Sequence, residues 1–252
     1  MARQARIRAR SGCYHLTVRG IDKMDIFLED FEREKFIELL TNQKKKDEFE
    51  IYAYCLMSNH IHLLIREGDE KISDTVKTLM GGYAQWFNKR YHRHGPLFED
   101  RFASEVVESD AYLLDVVRYI HRNPVKAGMV RACDEYKWSS AVEYKHGVNG
   151  ITDASIVMGM FSPFLEKAVV AYSEFMKQPD ERLFLEVRDR DEEAVEAAQV
   201  WNMLQENDLS DEERLVRFLR MVDIPSRTAA LITGYGRSVI RRVNVMLGKG
   251  RS

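Results

Sequence analysis

Two apolar runs, Glu50–Met57 and His60–Arg66, are separated only by Ser58 and Asn59, and this constrains the chain more than any other feature. Each run has strand length. A two-residue polar break leaves room for a hairpin turn but not for the helical crossover that parallel strands need. The runs are therefore expected to be antiparallel neighbours, although Ser-Asn is a weaker turn signal than Asn-Gly.

The flanking sequence supplies more of the same kind. Tyr14–Arg19 reads as a short strand ended by Gly20, and Glu29 to about Lys46 as a helix finishing in Lys44, Lys45 and Lys46. Val76, Leu79, Met80, Tyr83 and Phe87 fall at helical spacing within a segment from Ser73 to about Tyr91, which Gly95-Pro96 closes. Phe102–Val107 reads as a strand. Ser109 then caps a helix expected to run to Asn123, where Pro124 stops it. The order strand, helix, two strands, helix, strand, helix fits an α+β fold: an antiparallel sheet with helices packed on one face.

Alternation along His60-Ile61-His62-Leu63-Leu64-Ile65 puts His60 and His62 on one face and Ile61, Leu63 and Ile65 on the other. If helices cover the aliphatic face, the imidazoles look out from the open side. Two neutral imidazoles held a few residues apart on a stiff strand can ligate one divalent cation, although a structural or surface pair has the same spacing. His92 and His94 repeat the spacing in an Arg/His-rich helix tail and read as solvated or phosphate-touching.

On the helix after Ser109, Leu113, Val116, Val117 and Ile120 make the core stripe. Tyr112, Tyr119 and Asn123 cluster about a quarter-turn away, with Tyr119 and Asn123 adjacent at a spacing of four. Such a tyrosine is commonly a packing residue. Beside an amide and near a metal site it also has the makings of a nucleophile toward phosphorus, with a phenol pKa of about 10 that calls for metal or basic help.

Several of these runs, taken in order, resemble a known family. Tyr54–Ile65 resembles the HUH motif (histidine, bulky hydrophobe, histidine) of the Y1 tyrosine transposases of the IS200/IS605 type, and Arg118–Val130 resembles their REP-associated branch. Gly95–Phe102 and Tyr136–Ser140 match stretches typical of that branch, so the likeness covers roughly residues 8 to 147.

The resemblance implies a ferredoxin-like (RRM-like) domain. Its activity would be that of an endonuclease and strand transferase, cutting and rejoining single-stranded DNA beside a REP-like hairpin through a covalent 5′-phosphotyrosine. Carried over by position, His60 and His62 would bind Mg²⁺ or Mn²⁺, Tyr119 would be the nucleophile, and Asn123 would stand where the family's third polar ligand sits, often Gln. Tyr83 is a rival nucleophile on its own helix. Ser58 occupies a position where many relatives have proline, a change expected only to loosen the turn. Arg3, Arg6, Arg8 and Arg10 could grip a hairpin backbone, while Arg122 and Lys126 are better placed to meet phosphate.

Composition narrows the remaining classes. With 45% hydrophobic and 31% charged residues the chain reads as ordinary globular protein. Cys13, Cys55 and Cys133 are too few and too scattered for a disulfide framework or a zinc knuckle, and read as small buried hydrophobes in a reducing compartment. The start is basic with no apolar run behind it, no segment is apolar enough for a membrane span, and no Walker-type glycine loop is present. A cytoplasmic, nucleoid-associated protein is the expectation, with a monomer slightly favoured over a homodimer and no membrane partner.

The net charge of −2 conceals an asymmetry. Lys plus Arg against Asp plus Glu is 24 to 23 over residues 1–147, 5 to 15 over 148–212 and 9 to 2 over 213–252. Three regions are expected: a catalytic domain at 1–147, an acidic helical connector at 148–208, and a basic helix-turn-helix-like DNA-binding region at 209–252. In the last, Arg237, Arg241 and Arg242 decorate the recognition helix. The rival functional readings are a non-catalytic DNA-binding regulator that kept the fold, and an RNA binder using an RRM-like sheet.

Overall fold

A computed structural model describes residues 8–99, 102–147, 150–178, 190–205, 209–222 and 226–247. The chain forms two compact units, Met1–Phe184 and Leu185–Ser252.

The first unit is built on four strands: β1 (Cys13–Arg19), β2 (Glu50–Leu56), β3 (His60–Arg66) and β4 (Ala103–Val106). Helix α1 (Asp30–Asp47) joins β1 to β2, and α2 (Ile72–Arg90) joins β3 to β4. The strand order β2-β3-β1-β4, antiparallel throughout, is the ferredoxin-like split arrangement that the element order anticipates.

The hairpin between β2 and β3 turns at Ser58-Asn59, closed by Met57 N–H to His60 O at 2.9 Å. The turn is pinned from outside as well. Gly20 N–H donates to Asn59 O, Ile26 and Phe27 N–H both donate to Ser58 O, and the Asn59 side chain donates to Lys23 O. A Cβ at position 20 would stand 2.2 Å from Met24 O, so the close approach that locks the turn to the end of β1 requires glycine there.

Helices α1 and α2 cover one face of the sheet. Phe36, Leu40, Val76, Leu79, Tyr83 and Phe87 pack there against Leu16, Val18, Ile51, Leu56, Ile61, Leu63 and Ile65. The opposite face, expected to be open, is also covered. Helix α3 (Asp110–Lys126) lays Leu113, Val116, Val117, Tyr119 and Ile120 into a second core with Tyr52, Ala53, Cys55 and Leu64. The physical reason lies in β2 and β3 themselves: Ile51–Leu56 and Leu63–Ile65 are continuously apolar, as strands buried on both faces must be. Cys13 and Cys55 are buried in this core, as expected; Cys133 is half-buried, and all three are free thiols.

Helix α3 starts where the sequence placed it, with the Ser109 side chain accepting from Tyr112 N–H. It does not end at Asn123. Pro124 lies inside the last turn and the helix continues to Lys126, because a proline this near the C-terminus forfeits a single main-chain bond while Ala127 N–H still reaches Asn123 O.

The expected boundaries at 147 and 208 are not where the fold divides. Helices α4 (Ala141–His146), α5 (Ala154–Phe161) and α6 (Leu165–Lys177) bury Tyr144, Val157, Met158, Ala168 and Tyr172 in the second core of the sheet unit. Helix α7 (Arg190–Gln205) belongs to the other unit, where Ala197, Trp201 and Leu204 pack with Leu215, Phe218 and Leu219 of α8 (Asp211–Met221), Ala229 of α9 (Ser226–Thr233) and Ile240 of α10 (Arg237–Met246). The acidic stretch is thus divided between two cores, because charge composition reports the solvent face and not the buried one. Residues Gly234 to Gly236 join α9 to α10, with Gly234 at φ +77°. Among the described residues, no single helix is long and apolar enough to cross a membrane.

Candidate active site

The second face of the sheet is apolar except at one end, where β1, β3 and α3 bring four rings together. His60 and His62 project from β3 with ring centroids 4.9 Å apart, edge to face. The Tyr119 ring, delivered by α3, stands edge-on to His62 at 5.4 Å. His15 of β1 completes the group, 5.5 Å from His62 and 5.6 Å from Tyr119. Asn123, one turn beyond Tyr119, hydrogen-bonds His62 and donates from Nδ2 to Tyr119 O at 3.1 Å. Lys126 sets its ammonium over the Tyr119 ring, 4.9 Å from the centroid, in a cation–π contact.

The sequence-derived candidates Tyr119, His60, His62 and Asn123 are therefore gathered at one place, with Lys126 beside them. Burial differs from the expectation: His62 is 2% and Tyr119 4% exposed, since α3 closes over them, whereas His60 is partly exposed at the rim. Tyr83, the rival, is fully buried between α2 and the sheet, with its hydroxyl donating to Ile26 O at 2.6 Å. It belongs to the core on the far face.

The sequence reading passed over His15, Thr17 and Asn59. Two of them were legible as face-mates: the alternation that pairs His60 with His62 also places His15 and Thr17 on one face of β1, while the register that sets Thr17 directly opposite His62 belongs to the tertiary structure. Thr17 Oγ1 lies 3.2 Å and His15 Nε2 3.3 Å from His62 Nδ1, while Asn59 Oδ1 lies 2.6 Å from His60 Nδ1.

In both imidazoles of the pair, the Nδ1 atom is engaged by the protein. Nε2 is then the nitrogen that would face a cation, since outer partners on one ring nitrogen orient the other in metal-binding histidines. Burial, then the neighbouring His60, His15 and Arg19, hold the His62 pKa well below its usual value, partly offset by the Asn123 hydrogen bond, so this imidazole is neutral. Two imidazoles and an amide fit Mn²⁺, or Mg²⁺ if water and phosphate oxygens complete its shell. Among the described residues no group of three or more His, Cys, Asp or Glu is placed to hold a metal, so a cation here would draw most of its ligands from solvent and substrate.

The other basic candidates are dispersed. Arg8 is exposed and pairs with Glu67, and Arg10 is exposed with its backbone held by Glu108. Arg122, one position before Asn123, donates to Gln178 O at 2.6 Å. Arg242 is exposed on α10; Arg237 and Arg241 lie on the same helix, but their side chains, like the whole of Arg6, fall outside the described residues. His92 and His94 are exposed and distinct from the ring cluster.

A family model described as "Transposase IS200 like" matches residues 9–123, which take in all four strands and α3 as far as Asn123. Over these residues the chain is similar to the IS200-like transposases. A curated protein of Haemophilus influenzae, provisionally described as a REP-associated tyrosine transposase, is 25% identical over 151 residues, covering 56% of this chain and 85% of the relative. The solved structure of a REP-associated tyrosine transposase bound to a REP hairpin aligns with a TM-score of 0.48 at 21% identity, covering 62% of this chain and 93% of that one. A provisionally named transposase of Deinococcus radiodurans aligns with a TM-score of 0.34 at 20% identity, covering 48% and 96%.

Proposed function

We propose that this chain is a REP-associated transposase that cuts and rejoins single-stranded DNA next to an imperfect hairpin. The chemistry would run through a covalent phosphotyrosine at Tyr119. The observation that carries this reading is the convergence of Tyr119 with His60 and His62, residues more than fifty positions apart, at one polar end of an otherwise apolar sheet face.

In the proposed reaction the Tyr119 hydroxyl attacks the scissile phosphorus in line. The new bond is phosphorus to phenolic oxygen, the broken one is phosphorus to the 3′ oxygen, and the phenolic proton passes through solvent to the departing 3′-hydroxyl. Rejoining is the reverse. His60, His62 and Asn123 would hold Mg²⁺ or Mn²⁺, which when bound supplies Lewis-acid polarisation of the phosphate. Lys126 adds positive charge beside the ring, where it favours the phenolate and meets the substrate phosphate. The hairpin-bound state of the aligned solved protein motivates the choice of substrate, and the exposed Arg242 of α10 is a candidate contact to a duplex stem.

The test is incubation of the full chain with hairpin oligonucleotides carrying single-stranded flanks, in Mg²⁺ or Mn²⁺, followed by denaturing electrophoresis. A denaturation-resistant protein–DNA adduct is expected, and Tyr119→Phe abolishes it. An adduct that survives in Tyr119→Phe rejects the assigned nucleophile.

One observation favours a second reading, a DNA-binding regulator without cleavage: Tyr119 is only 4% exposed, and substrate must reach it. Metal-independent hairpin binding, with no adduct under any divalent ion, identifies that case.

A further inference from the structure

The proposed metal site works only if His62 offers a lone pair on Nε2, which requires its single proton to sit on Nδ1. The protein has built something against that nitrogen. His62 Nδ1 faces His15 Nε2 at 3.3 Å and Thr17 Oγ1 at 3.2 Å. His15 is 1% exposed, out of reach of bulk solvent.

A hydrogen bond between two imidazole nitrogens takes one proton, and either ring can carry it. If His15 holds it on Nε2, then His62 is protonated on Nε2 and is closed to a cation. If His62 holds it on Nδ1, then His15 must carry its own proton on Nδ1. That second His15 nitrogen is buried without a hydrogen-bond partner and lies 3.9 Å from Glu105 Oε2, directly across the β1–β4 ladder. A carboxylate at that distance favours the N–H dipole pointing toward it and disfavours a lone pair.

We infer that Glu105, His15 and Thr17 form a positioning relay that fixes the tautomer of His62. Glu105 holds the His15 proton on Nδ1. His15 Nε2 then accepts from His62 Nδ1–H, with Thr17 Oγ1 as a second acceptor, and His62 Nε2 is left as the ligand atom. The inference rests on the proposed function for its purpose, but its content is the protonation pattern of two rings.

Asn123 is the competitor, because its amide also hydrogen-bonds His62 and an amide oxygen turned toward Nε2 would reward a proton there. Two acceptors on Nδ1 against one on Nε2 decide the balance. His15 and Glu105 are positioning residues in this scheme and touch no substrate.

The experiment uses the full chain labelled with ¹⁵N-histidine, and long-range ¹H–¹⁵N spectra assigned from single His→Gln variants. In the metal-free wild type, His62 is expected to show a pyrrole-like Nδ1 and a pyridine-like Nε2. In Glu105→Ala the two His62 tautomers mix. In His15→Phe, Mn²⁺ affinity measured by electron paramagnetic resonance falls about 10- to 100-fold. His15→Gln, whose amide oxygen takes the place of Nε2, returns affinity to within a few-fold of wild type.

A pyridine-like Nδ1 on His62 in the wild type overturns the inference. So does a His15→Gln variant that binds Mn²⁺ as weakly as His15→Phe, since a purely steric role predicts that. If the wild type binds no Mn²⁺ while the tautomer pattern responds to Glu105→Ala, the relay stands and the metal part of the proposed function falls.

Discussion

His121 offers the sharpest quantitative handle on the fold that presents Tyr119. It lies two residues along α3, points into the second core, and bridges three elements: Nε2 meets Ser140 Oγ at 2.7 Å, Nδ1 meets the Tyr172 hydroxyl at 2.8 Å, and Ser140 in turn bonds the backbone of Tyr54 in β2. The Tyr144 ring packs edge-on at 4.9 Å. Burial pushes the His121 pKa down to about 3 from a usual value of 6.5.

The sign follows from proton binding. The unfolded chain takes up a proton near 6.5 and the folded one does not until about 3, so this stabilisation is complete above pH 6.5 and is lost as pH falls toward 3. One pK unit is 1.36 kcal/mol, so moving from pH 7 to pH 5 costs about 2 kcal/mol through this group alone. At pH 5 the folded imidazole is neutral for any folded pKa below 4, so the unfolded value sets the figure. His62, depressed in the same direction, adds to the wild-type loss but is common to both proteins compared.

The assay is urea denaturation of wild type and His121→Gln at pH 7 and pH 5, in parallel. Wild type should lose about 2 kcal/mol more than the variant between the two pH values. Equal losses would refute the argument, because they would mean that the folded protein accommodates the proton on His121.

Three further outcomes follow from the same structure. Tyr83→Phe removes the buried bond to Ile26 O, so stability falls by about 1–3 kcal/mol while the covalent DNA adduct persists; loss of the adduct without unfolding would return Tyr83 to the site. Phe218→Ala empties the centre of the four-helix core and is expected to cost about 3–5 kcal/mol, read by the fluorescence of Trp201, whose ring centroid lies 5.2 Å from that of Phe218. If α10 lies on DNA backbone, Arg242→Ala reduces the slope of log affinity against log salt by about 1 on hairpin substrates; an unchanged slope removes Arg242 from the interface.

Local pattern carried the sheet and most helices. The Ser58-Asn59 hairpin, the strand at Tyr14–Arg19 and the capped helix from Ser109 each declare themselves within about twenty residues, because turn chemistry and side-chain periodicity act locally. The second face was misread at Leu64 and along Tyr52–Cys55, where apolar residues on consecutive positions meant burial on both sides. His15 shows another limit. Its alternation with Leu16 is plain in the sequence, but a lone histidine on a strand has no stated partner until β1 is registered against β3.

By itself, then, the sequence determined the class of fold, the family it resembles, and the short list of candidate site residues. Periodicity, turns and the ordered motifs are properties of neighbouring residues and need no third dimension. What only the tertiary structure decided was which of them meet. The packing of α3 on β2 and β3 set Tyr119 against His62 and sent Tyr83 to the opposite core, the register of β1 against β3 added His15 and Thr17, and the division of the chain falls after Phe184. The physical reason is that burial and side-chain contact depend on faces brought together from distant stretches of chain, and no local pattern encodes which face will find which.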